Sequence, residues 1–229
     1  MPFNRLGLYV SRKAVMPTKY LHTGAIDMRY SSFLKGESFA GYHSINLFLT
    51  NLASEVGTVL RQGRFITFYT LFDFQAFAQL EPPLERKRYL LEFIQASMLR
   101  LAHQEGWSTE RFDRAYQGCL DCGLRVEWNF RGRLFRSPDR AHYFALFHHV
   151  DFEQYEVAEV LYDKHKQEIF RRTCFVDTGP VFSVQWAAWE DSTRFSYRFG
   201  GPKRVFTAEV AELLQHREYQ TSRRQRDLF

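Results

Sequence analysis

At Gly123 the hydrophobic pattern of this chain changes period, and that change constrains the fold more than any other feature. Before it, LERKRYLLEFIQASMLRLAHQEG places Leu90, Leu91, Ile94, Met98 and Leu101 three and four residues apart, the stripe of an amphipathic helix over 84–106. After it, LRVEWNF alternates Leu124, Val126, Trp128 and Phe130, and the period of two continues through RLFR, HYFALFHHV and segments near 153–163, 168–176, 181–189 and 193–199. Connections as short as RG and SPDR cannot carry parallel crossovers, so these strands must form an antiparallel meander. The fold class that follows is α+β: an antiparallel β-meander in the C-terminal half packed with three to four amphipathic helices.

The first half reads as a mixture. FNRLGLYV is a strand, and YLHTGAIDMRYSSF (20–33) is a second, with Tyr20, His22, Gly24, Ile26, Met28 and Tyr30 on one face. INLFLTNLASEVGTVLRQG (45–63) fits an amphipathic helix through Ile45, Phe48, Leu49, Leu52, Val56, Val59 and Leu60, with Gly63 as its stop. RFITFYTLFDF (64–74) is apolar at both parities, the pattern of a central strand covered on both sides. Pro82 and Pro83 then break the chain, and Gly106 ends the helix that follows. Ser108 is the expected N-cap of a third helix whose inner face is Phe112, Ala115, Tyr116, Cys119 and Leu120, with Trp107 stapled onto Phe112. A last helix begins near Thr207, with Val210, Leu213 and Leu214 inward. No repeat, low-complexity tract or linker interrupts residues 1–229, which are expected to form one compact domain, with a helix-rich lobe over 1–122 and a sheet-rich lobe over 123–229.

Composition narrows the function classes. No apolar run approaches the roughly 20 residues that span a bilayer, and MPFNRLGLYVSRK lacks the apolar core of a secretion signal, so no membrane partner is expected. Three cysteines do not build a secreted disulfide framework, and the expected compartment is the cytoplasm. An aromatic content of 17%, with 23 Phe, fits a β-rich core. The net charge of +5 suits an acidic partner.

The chemistry-bearing stretches are few. GCLDCG holds Cys119 and Cys122 in a C-x-x-C spacing, but at the end of a helix, where the dipole disfavours a thiolate, and Gly123 is the residue expected to close that helix. Cys119, Cys122 and Cys174 with one His would make a zinc set on paper; no second C-x-x-C or paired His accompanies them, so neither metal nor cofactor is expected. His148 with Asp151 or Glu153 is a candidate polar site. The sequence contains no G-x-S-x-G, H-E-x-x-H, Walker loop or dinucleotide fingerprint. An enzyme whose residues are assembled from distant positions stays open as an alternative.

KRYLLEFIQASMLRLAHQEGWSTERFDRAYQGCL, residues 87–120, resembles a helix pair of small bacterial immunity proteins from polymorphic toxin systems, through its leucine-rich helix, its GW break and its second helix with F…AY. The resemblance implies a non-enzymatic protein that binds and blocks a partner. Independently, WNFRGRLFR interleaves aromatics with Arg131, Arg133 and Arg136 on an expected hairpin. These arginines are the candidate partner-binding residues, directed at an acidic protein surface through bidentate guanidinium contacts. The same mixture of residues suits nucleic acid, which is the alternative.

Overall fold

The computed structural model describes residues 2–14, 24–81, 83–151, 155–177, 184–200 and 205–215. The chain divides into two compact units, Met1–Val126 and Glu127–Phe229. No helix among the described residues is long and apolar enough to cross a membrane.

The first unit runs β1 (Arg5–Val10), α1 (Gly24–Leu34), β2 (Ser44–Thr50), β3 (Val59–Gln62), β4 (Phe65–Leu71), α2 (Phe74–Gln79), α3 (Pro83–Glu105) and α4 (Glu110–Asp121). Its sheet has the order β1-β2-β4-β3, with β1, β2 and β4 parallel and β3 antiparallel to β4. The register places Leu6, Ile45 and Ile66 side by side, and likewise Leu47 and Phe68, all nearly inaccessible to solvent. On that same face the buried Thr70 hydroxyl bonds the Ser97 hydroxyl of α3 at 3.0 Å, so α3 covers it.

Four expectations for this unit are corrected. The stretch expected as a strand over 20–33 is helix from Gly24 onward, and residues 20–23 lie outside the described residues. Ile26, Tyr30 and Leu34, four apart, are the fully buried positions, while Met28 of the supposed strand face is exposed. Asp27 and Ser31 lie on the inward side too, and they explain the preference for helix. Ser31 Oγ accepts from Leu6 N (2.8 Å) and donates to Leu6 O (3.3 Å), and Asp27 Oδ2 accepts from Leu8 N (3.1 Å), which satisfies the free edge of β1.

The helix expected over 45–63 is β2, a turn and β3. Ile45, Leu47 and Leu49 are the wholly buried set, a period of two, because β2 is flanked by β1 and β4 and its apolar run obeys the parallel sheet. β4 is the anticipated interior strand, but only Ile66, Phe68 and Thr70 are covered; Phe65 and Leu71, on the other side, are exposed. Finally, α4 starts at Glu110 with Thr109 as its N-cap and no side-chain capping bond, so Ser108 does not cap it. Trp107 and Phe112 both pack on Phe39, with ring centroids 5.2 and 5.4 Å away. The helix over 84–106 stands as expected, with its whole leucine-rich stripe buried and Gly106 in the left-handed region at its end.

The second unit takes up β5 (Val126–Asn129), which begins at the boundary, a 3₁₀ turn (Phe130–Gly132), β6 (Phe135–Arg136), β7 (His142–Val150), β8 (Tyr155–Asp163), β9 (Glu168–Asp177), β10 (Val184–Trp189), β11 (Arg194–Phe199) and β12 (Val205–Glu209). One sheet has the order β5-β7-β8-β9 with β6 paired to β7; the other is β10-β11-β12. The pairs β6/β7, β7/β8, β8/β9, β10/β11 and β11/β12 are antiparallel, as the short connections require. The two sheets meet through Phe144 on Phe195 (4.2 Å between centroids) and Phe175 on Phe199 (4.7 Å). The expected helix near Thr207 is corrected: Thr207 belongs to β12, where its hydroxyl meets Ser196 Oγ at 2.9 Å, and helix runs over 210–215 with Val210 and Leu213 buried.

Candidate partner-binding surface

The segment that links β5 to β7 carries the three arginines singled out in the sequence. Arg131 and Gly132 are consecutive left-handed residues (φ 55° and 65°), so the chain reverses sharply there and turns Arg131 to solvent. Arg133 and Arg136 flank the buried Phe135 of β6 and are also exposed. Each guanidinium lies over an aromatic ring: Arg131 on Phe130 (5.2 Å to the centroid), Arg133 on Phe135 (4.5 Å) and Arg136 on Tyr143 (5.7 Å). A ring face orients a guanidinium without neutralising it. Among the described residues none of the three pairs with a carboxylate, whereas Arg171, Arg172 and Arg194 in the same unit all do.

A cleft of about 330 Å³ opens beside them, with Arg133 to Arg136 as one wall and Ala187, Ala188 and Trp189 of β10 as the other. The Trp189 indole N–H donates to Phe135 O at 2.9 Å, which ties the two walls together. Lys166, in the β8–β9 turn, sits over the same Tyr143 ring as Arg136, 5.7 Å from its centroid. Nothing local in the sequence marks Lys166; the antiparallel pairing of Tyr143 with Tyr162 brings it there.

The frame behind this surface is held by buried polar groups. His148, 2% exposed, has Nδ1 at 2.5 Å from the Tyr155 hydroxyl and its ring stacked on Trp128 (5.0 Å, 12°). Burial pushes its pKa down to about 4, so the ring is neutral near pH 7, and Nε2 has no hydrogen-bond partner among the described residues. The partner expected for His148 is Asp151 or Glu153; its Nδ1 meets the Tyr155 hydroxyl instead, and Glu153 lies outside the described residues. His149 points to the other face and meets Glu127 at 3.2 Å. Trp128 and Phe130, which alternate with Leu124 and Val126 in the sequence, are half-buried, whereas Leu124 and Val126 are buried. A second network joins Glu159, Arg172 and Tyr197, whose hydroxyl donates to Glu159 Oε1 at 2.7 Å.

The cysteines are free thiols. Cys119 is buried on α4 and Cys122 is that helix's C-cap; the Cys122 thiol donates to Cys119 O (3.2 Å) and receives the Arg29 Nε–H (3.1 Å). The Cys174 thiol donates to Val157 O at 3.3 Å. Burial pushes the Cys119 pKa up to about 12 and that of Cys174 up to about 11, so both are neutral thiols. Among the described residues no group of three or more His, Cys, Asp or Glu side chains is arranged to hold a metal ion. No family model, no curated protein and no solved structure matches the chain.

Proposed function

We propose that this chain is a non-enzymatic intracellular binding protein that covers an acidic surface on a protein partner, the mode by which an immunity protein blocks a toxin. The observation that carries the reading is the set Arg131, Arg133 and Arg136: exposed, oriented by aromatic rings, and without carboxylate partners among the described residues. Among the described residues Arg61, Arg114, Arg171, Arg172 and Arg194 spend donors on neighbouring carboxylates, whereas Arg131, Arg133 and Arg136 do not. These three keep theirs for a partner, and their planar forks match carboxylates bidentately. The cleft between β6 and β10, with the half-buried Trp189 in its wall, adds the aromatic anchor that interface hot spots favour.

The test is affinity capture with the full chain, run in parallel with a variant carrying Arg131→Glu, Arg133→Glu and Arg136→Glu. The partner is the protein retained by the first and lost by the second, and the product of an adjacent toxin-like gene is the candidate to offer directly. A partner retained equally by both proteins would place the interface elsewhere.

A further inference from the structure

In the first unit α3 covers one face of the sheet, and among the described residues the other face presents the exposed Tyr9, Leu60, Phe65 and Leu71. On that other face Tyr9, Phe48 and Tyr69 are direct register partners across three parallel strands. Their rings form a ladder, with centroids 5.3 and 5.1 Å apart and interplanar angles of 26° and 33°. Tyr9 folds back along its own strand over Gly7: a Cβ at position 7 would lie 2.7 Å from its Cε2. The absent side chain at Gly7 lets that ring lie against the backbone, and it remains 36% exposed. Leu60, Phe65 and Leu71, on the same face, are exposed as well. Sheets built on parallel strands are ordinarily covered on both faces, so a row of aromatic rings in which Tyr9 is exposed and Phe48 and Tyr69 are only half-buried calls for an occupant.

Charge narrows the occupant. None of β1, β2, β3 and β4 contains an Asp or Glu. Next to the ladder, Asn46 and Thr67 pair in register with Gly7 and offer amide and hydroxyl groups. The nearby Glu55 is already held by the Ser11 and Thr50 hydroxyls and by Lys13. At the β1 edge the Arg5 guanidinium stands 5.9 Å from the Tyr9 ring and also lines a cleft of about 440 Å³ with Ser31, Ser32 and Lys35. Neither Arg5 nor Lys35 has an ion-pair partner among the described residues. Asp27, the one carboxyl lining that cleft, has its oxygens engaged by the Leu8 and Met28 amides and is also attracted by the Arg5 charge, short of a salt bridge.

We propose that this face binds single-stranded nucleic acid, with unpaired bases stacking on Tyr9, Phe48 and Tyr69 and the sugar–phosphate backbone running toward Arg5 and Lys35. Rings on an open sheet, a face free of carboxylates and cations at one edge are what such binding uses, and a duplex hides the base faces that the ladder would contact. A second copy of the chain would also find apolar surface here, but its copy of this face carries no carboxylate on β1 to β4 to meet Arg5 and Lys35. The inference does not rest on the acidic-partner surface, which belongs to the other unit.

The experiment is fluorescence anisotropy of the full chain with labelled single-stranded RNA and DNA of about twelve nucleotides, against a duplex of the same sequence. Single strands should bind more tightly than the duplex, and ultraviolet cross-links should map to Tyr9 or Tyr69. Tyr9→Leu with Tyr69→Leu keeps apolar cover but removes the π faces, and should weaken binding about tenfold or more. Should that pair lower stability, Arg5→Gln with Lys35→Gln leaves the ladder intact and should reduce the slope of log affinity against log salt by about 1.4. Absence of single-strand binding at about 100 μM protein would overturn the proposal. So would affinity unchanged in both variants, or sedimentation of a dimer that Tyr9→Leu and Tyr69→Leu dissociate.

Discussion

Arg172 Nη2 meets Glu159 Oε2 at 2.7 Å and Arg172 Nε meets the same oxygen at 3.0 Å, with the carboxylate side chain only 2% exposed. The pair joins β9 to β8, Tyr197 adds β11 through Oε1, and Arg172 Nη1 reaches Glu212 at 3.2 Å. Arg172→Met leaves a buried carboxylate with Tyr197 as its remaining side-chain donor. The expected loss of stability is about 3 kcal/mol, the low end for breaking a buried pair. Chemical denaturation measures it, and Glu159→Gln added to Arg172→Met should recover part of the loss. An unchanged midpoint for Arg172→Met would mean that water compensates the carboxylate.

His148 makes stability depend on pH with a definite sign. Its folded pKa of about 4 lies below the ordinary value of 6.5, so between those values the unfolded chain binds more protons. The contribution is complete above about pH 6.5 and is lost as pH falls through about 4, roughly 3 kcal/mol in all. Asp27, raised by burial to about 6, gives the opposite slope between 3.8 and 6. His148→Gln keeps Asp27 unchanged, so denaturation midpoints of the two proteins at pH 7 and pH 4.5 isolate the histidine. The variant should lose less stability on acidification than the wild type; equal losses would contradict the burial of His148.

How far the sequence revealed this fold depends on where the periods are unambiguous. β7 to β11 were legible because alternation there has no helical counterpart, and α3 because its stripe is bounded by Pro83 and Gly106. β2 was not: Ile45, Phe48, Leu49 and Leu52 satisfy a helical spacing as well as Ile45, Leu47 and Leu49 satisfy a strand, and the decision comes from β1 and β4 on either side. For the converse reason α1 reads as a strand in the sequence, since Ile26, Met28 and Tyr30 alternate by coincidence. The arginine cluster could be seen in WNFRGRLFR, but the hairpin expected there is corrected: β5 and β6 each pair with β7 and not with one another. The row Tyr9, Phe48, Tyr69 could not, because it exists only through the register of three strands.

Phe112 is an anchor of the core of the first unit. It is fully buried and stacked on Phe39, which also holds Trp107. Phe112→Ala should lower stability by about 3 to 5 kcal/mol and leave partner association unaffected once the protein is folded. Thermal melting checks the first half; an unchanged melting temperature combined with lost binding would make Phe112 a binding residue.

Thiol reactivity should rank by accessibility. Cys119 is fully buried and neutral, while Cys122 is half-buried beside the Arg29 guanidinium. Iodoacetamide should label Cys122 ahead of Cys119 in the native protein, and peptide mass spectrometry reads the order. Labelling of Cys119 first would contradict the packing of α4.

The central claim concerns Arg131, Arg133 and Arg136, and association kinetics test it most directly. With the captured partner in stopped flow, Arg131→Glu with Arg133→Glu should slow association at low salt by at least about tenfold and flatten its dependence on ionic strength. Circular dichroism and the melting temperature should be unchanged, because the three side chains are exposed and rest on rings that other residues hold. Association rates equal to those of the wild type at low salt, with folding intact, would contradict the account.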